Sequence, residues 1–143
     1  MAKSRHLYPK FIQFVRESVN ELEAKGNTAR LAGIVYHLGE NDMSFHPYRK
    51  QAADRLENII AQSRKDLERP SLKWYVSQQP PTDDKSVNNI DVVANVDMAA
   101  AADPTLIHLK AFNLPLQEKK LVISTAGIVE LGEFIAKSYL GHQ

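Results

Sequence analysis

Few residues in the chain combine a reactive side chain with a position that could use it, and the densest group is Gly39-Glu40-Asn41-Asp42. These four follow a short apolar run, Leu31 to Leu38, and precede a stretch of helical period, which puts them at a strand-to-helix turn. In open parallel sheets ligands bind at the carboxyl ends of the strands, where a glycine and three polar side chains would face them. Gly, Asn and Asp are also ordinary turn residues, so the same four read as a plain connection. His37 lies inside the apolar run and reads as a hydrogen-bonded core histidine, and His6, His46 and His142 show no metal-ligand spacing. Ser77 ends a second strand but lacks the Gly-x-Ser-x-Gly elbow of an exposed nucleophile. Cysteine is absent, which removes thiol nucleophiles, thiolate zinc sites and disulfides together. Gly39 stands alone and makes no phosphate loop, so no cofactor and no metal is expected.

The elements that would position these residues alternate along the chain. Phe11, Phe14, Val15, Val19 and Leu22 form one helical stripe, which predicts an amphipathic helix over 8–25 with Pro9 in its first turn and Gly26-Asn27 as its stop. Residues 31–38 lack polar alternation, as a strand buried on both faces does. Helical period returns from Ser44 to Leu67, with Pro47 where a first turn tolerates it. A second strand follows over 72–77, a third helix over 88–102 and a third strand over 105–110. Residues 113–123 read as an irregular crossing, and a last helix runs from about Thr125 to Leu140, capped by Ser124 or Thr125. Crossovers of this length suit parallel strands, so the fold class is α/β: a single three-layer α/β/α domain over 1–143 with a short parallel sheet. Three strands are few against a mean of about 5–6. The sheet therefore reads as incomplete on its amino-terminal side, with an open edge at residues 31–38. That edge predicts either a two-fold homodimer joined through it or a cover formed by helix 8–25.

Leu31-Ala-Gly-Ile-Val-Tyr-His-Leu-Gly-Glu-Asn-Asp42 resembles the Gly-x-Asn-Asp block of the SGNH hydrolases, in particular the branch of sialate O-acetylesterase-like carbohydrate esterases. Flanking features are similar to the same branch in the same order. They are Leu7-Tyr8-Pro9 at a helix start, the Tyr48-Arg49 pair, the Trp74 strand running into Gln78-Gln79-Pro80-Pro81, and Ser124-Thr125-Ala126-Gly127 with Leu131-Gly132. The resemblance implies a flavodoxin-like SGNH fold, of which this chain matches the carboxyl-terminal portion, and an acylated carbohydrate as ligand. It implies acyl transfer by serine, histidine and aspartate, with Asn41 donating to the oxyanion and Gly39, Glu40 and Asp42 at the substrate edge. The family's nucleophile block, Gly-Asp-Ser or Gly-Gln-Ser, has no counterpart here, and Lys119-Lys120-Leu121-Val122 stands where its Asp-x-x-His belongs. Asp103 and His108 are the nearest displaced pair.

Composition narrows the remaining classes. Of 143 residues 43% are apolar and 24% charged, and 18 basic residues against 17 acidic ones leave a net charge of +1 without a long block of either sign. A nucleic-acid footprint needs a clustered basic face, so none is expected. The apolar runs fall far short of the roughly 20 residues a bilayer helix requires, so no membrane partner is expected either. No signal-peptide h-region is visible at the amino terminus, which makes the cytoplasm the default expectation. Two readings result: an SGNH-type ester hydrolase fragment or degenerate member that is inactive alone, or a non-catalytic α/β module that binds a partner or a sugar at the same strand edge.

Overall fold

The computed structural model describes residues 7–38, 46–78, 90–117 and 122–141. Helix α1 (Leu7–Ala24) leads to strand β1 (Ile34–Leu38), helix α2 (His46–Asp66), strand β2 (Trp74–Gln78), helix α3 (Ile90–Ala102), strand β3 (Leu106–His108) and helix α4 (Thr125–Gly141). The strands lie in the order β1-β2-β3 and both pairings are parallel, as the crossover lengths predict. In register, Leu38 stands opposite Gln78 and Val76 opposite His108. The carboxyl ends of β1 and β2 therefore coincide, with His108 just behind them.

Side-chain alternation divides the sheet into two unequal faces. Ile34 and Leu38 of β1, Trp74 and Val76 of β2 and Leu106 of β3 point to one face and pack against Ala52, Leu56 and Ile60 of α2 and Val92, Val96 and Ala99 of α3. This is the main core. On the other face Tyr75, Ile107 and Leu109 meet Ile135 and Tyr139 of α4. The three layers are thus α1–α3, sheet and α4.

Several local signals act as the sequence implies. Gly26 takes φ 80°, and Asn27 N–H reaches back to the Leu22 carbonyl at 3.0 Å, closing α1 with a left-handed stop. Ser124 caps α4: its Oγ accepts from Gly127 N–H at 3.2 Å and donates to the Pro115 carbonyl at 2.9 Å. The crossing segment before α4 holds one isolated antiparallel bridge, Leu116 to Ile123. All three strands begin later than expected, since residues 31–33, 72–73 and Thr105 lie outside the ladder; β2 runs one residue further, to Gln78, and β3 stops at His108, two residues short.

Helix α1 departs from expectation in what it buries. The expected stripe puts Phe11, Phe14, Val15, Val19 and Leu22 inward, yet Ile12 is the one buried residue of the helix, and Phe11, Phe14 and Leu22 are exposed. Only the flank of the stripe meets the domain. Tyr8 Oη donates to Asp66 Oδ2 at 2.7 Å, and the Arg16 guanidinium donates to the Asp66 carbonyl, so α1 is tied to the last turn of α2. Val35 on β1 remains half exposed.

Candidate active site

Gln78 and His108 end their strands on the main-core side of the sheet, and α3 crosses above them. Val96 is buried in the core, which sets the next residue, Asp97, over the end of β3. There His108 Nδ1 lies 2.7 Å from Asp97 Oδ1 and His108 Nε2 lies 2.6 Å from Gln78 Oε1. Lys110 Nζ approaches the same Asp97 oxygen at 3.1 Å. The imidazole is nearly enclosed, with 3% of its side chain exposed against 39% for Asp97. Phe112 meets the ring edge-on at 6.2 Å.

The electrostatics follow from this geometry. The hydrogen bond from His108 holds the Asp97 carboxyl below the usual carboxylate range, Lys110 adds to the effect, and partial burial opposes both. Both ring nitrogens of His108 face oxygen atoms, so a ring carrying two protons donates to each of them. With a neutral ring the Gln78 amide serves better turned over, its NH2 donating to Nε2. Gln78 Nε2 is buried without a hydrogen-bond partner, which fits such a turn.

A second histidine lies on the opposite face. His37 Nδ1 is 2.9 Å from Ser77 Oγ, and Ser77 is fully buried. Because adjacent strand residues alternate, Ser77 and Gln78 project from opposite faces of β2. The sheet therefore separates the Ser77–His37 pair from the His108–Asp97 pair, and the two cannot form one proton relay.

Asp103 is not the partner of His108. Asp103 sits in the turn that enters β3 and His108 ends that strand, where its two ring nitrogens face Asp97 and Gln78 instead. At the amino-terminal end of the sheet Asp103 Oδ2 accepts from Arg64 Nη1 at 2.5 Å, and Oδ1 accepts from Thr105 Oγ1 at 2.6 Å and Thr105 N–H at 2.9 Å. Burial pushes its carboxyl up, but these bonds outweigh it and leave the carboxyl low. Arg64 also donates to Thr105 Oγ1 at 2.6 Å and to the Leu72 carbonyl at 3.0 Å, so this cluster joins α2 to the starts of β2 and β3. Gly39, Glu40, Asn41 and Asp42 lie outside the described residues, as does Lys119-Lys120-Leu121.

Asp97 is the functional candidate that sequence reasoning missed. It lies eleven residues from His108 across a helix end, and no short-range motif marks the pair. Among the described residues, no group of three His, Asp or Glu is placed to hold a metal ion, and no helix is long and apolar enough to cross a membrane.

Comparison with known proteins agrees with this architecture. The solved structure of a protein from Arabidopsis thaliana superimposes with a TM-score of 0.73 at 23% identity, covering 97% of this chain and 54% of that one. The chain thus spans about half the length of the solved structure it matches, and at this identity the likeness concerns the fold. No curated protein matches the chain. The family model for carbohydrate esterases described as sialic acid-specific acetylesterase matches residues 1–141. That match runs through every element described above, and on it the chain belongs to the sialic acid-specific acetylesterase family of carbohydrate esterases.

Proposed function

We propose that the chain is the carboxyl-terminal portion of a carbohydrate O-acetylesterase-type domain, directed at O-acetylated sugars of the sialic acid class and unable to turn them over alone. The observation that carries this reading is the position of His108 Nε2. In an ester hydrolase the nitrogen remote from the carboxylate takes the proton of a hydroxyl nucleophile. Here that nitrogen is 2.6 Å from Gln78 Oε1 inside an enclosed site, while Ser77 is buried on the other face of the sheet. Asp97 supplies the orienting carboxylate that such a histidine needs. By the family pattern Asn41 is the oxyanion donor. Ser77, the serine that the described residues hold at the end of β2, does not face His108.

Incubating the purified chain with 4-nitrophenyl acetate and with O-acetylated sialic acid tests the reading. We expect release of acetate no faster than in buffer. Hydrolysis that disappears in Ser77→Ala would locate a working nucleophile on β2 and reject the proposal. Loss in His108→Ala alone would reject it too, since the imidazole would then be acting without a serine from elsewhere.

A further inference from the structure

The enclosed imidazole of His108 has no vacant nitrogen. A ring nitrogen carries either a proton or a lone pair in the plane of the ring, and so takes one hydrogen-bond partner there. On Nδ1 that partner is Asp97, and on Nε2 it is Gln78 Oε1 at 2.6 Å. A hydroxyl that gives its proton to Nε2 must lie along the same line at nearly the same distance. Gln78 and a nucleophile therefore compete for one place, and in this structure Gln78 holds it.

Among the described residues the hold is a single contact. Gln78 is fully buried, yet its Nε2 has no hydrogen-bond partner, so the bond of Oε1 to His108 is what fixes the amide. A buried N–H without an acceptor costs free energy that movement of the side chain recovers. Asp97 is held differently: its carboxylate also meets Lys110 at 3.1 Å, and it bonds the other ring nitrogen. It therefore continues to orient the imidazole when Gln78 departs. Either end of the amide blocks Nε2, the oxygen against a ring with two protons or the NH2 against a neutral one.

We propose that Gln78 closes this site: its side chain occupies the nitrogen of His108 that takes a nucleophile's proton, and the imidazole works only when the amide swings clear. The proposal rests on the reading of His108 as the proton acceptor and adds a regulating contact to it. Gln78 is a positioning residue, since it acts through His108.

Diethyl pyrocarbonate acylates an imidazole nitrogen whose lone pair is free, and peptide mass spectrometry of the modified full chain assigns the rate to each histidine. Near neutral pH His108 should react about tenfold faster in Gln78→Ala than in wild type, the factor that one hydrogen bond is worth. His37, on the other face of the sheet, should react equally in both, which separates an opened site from a loosened fold. Gln78→Glu keeps an acceptor oxygen at the same reach and should stay as slow as wild type. Equal His108 rates in wild type and Gln78→Ala would overturn the proposal. Acceleration of His37 together with His108, or a Gln78→Glu chain as reactive as Gln78→Ala, would overturn it as well. No ester turnover enters these rates, so acetate release by the wild-type chain would reject the functional reading without deciding the closure, which the rates decide.

Discussion

Asp97 holds His108 through a contact that depends on how far α3 reaches over β3, which is why it cannot be read from spacing. His108 itself stands out as a polar residue at a strand end, but the sequence offers Asp103 as its carboxylate, and the strand between them carries the two apart. The pairing with Asp97 has a measurable consequence at low pH. A carboxyl whose folded value is lowered contributes stability that is present above its unfolded value, about 3.9, and is lost as pH falls through the lower folded value. Asp97→Asn should therefore destabilise the protein near neutral pH, and the gap from wild type should close as pH falls below about 4. Thermal melts of both proteins between about pH 2 and pH 7 measure it. A gap independent of pH would mean that the carboxylate charge contributes nothing.

At the scale of elements, helix attachment rests on few groups, and each can be tested. Arg64 bonds Asp103, Thr105 and the Leu72 carbonyl with little of its side chain exposed. Arg64→Ala strands all three acceptors and should cost about 2–3 kcal/mol in urea unfolding, whereas lysine, with a single ammonium, cannot span them. Gly127 in the first turn of α4 lies so close to the Pro115 carbonyl and Ile123 that a Cβ there would collide with backbone. Gly127→Ala should therefore destabilise by about 1–3 kcal/mol, through overpacking and not through any turn conformation. Docking of α1 carries its own pH window. Burial first, and then the bond to Asp66, push the Tyr8 hydroxyl up to about 12. A raised folded value contributes stability that is complete below the unfolded value, about 10, and is lost as pH rises through about 12. The existence and order of all seven elements were legible in the sequence, because apolar period and the Gly, Pro and Ser signals act locally. Which flank of the α1 stripe turns inward was not, since periodicity marks a stripe without saying what lies opposite it.

For the whole molecule, the core is lopsided, and its unfolding should show this. The face beneath α2 and α3 buries Leu56, Trp74, Val76, Val92 and Val96 almost completely. The face beneath α4 buries Tyr75, Ile107 and Leu109, and α4 keeps Ile128, Val129, Phe134 and Leu140 exposed. Apolar burial supplies most of the stability of any segment, at about 25 cal/mol per Å². The apolar side chains that α4 contributes are only partly buried, Ile135 and Tyr139 against the sheet and Leu131 against Ala111, Leu114 and Ile123 of the crossing segment, and segments of low local burial open before the global transition. Trp74 is the single tryptophan and lies 2% exposed in the main core, so its fluorescence reports that face alone, while circular dichroism at 222 nm reports helix wherever it occurs, α4 included. In urea the helical signal should begin to fall before the Trp74 emission shifts, with amides of α4 exchanging faster than those of α2. Coincident curves and uniform protection would show that the two faces unfold as one cooperative unit, and that the few contacts of Ile135 and Tyr139 couple α4 to the sheet more strongly than their burial implies.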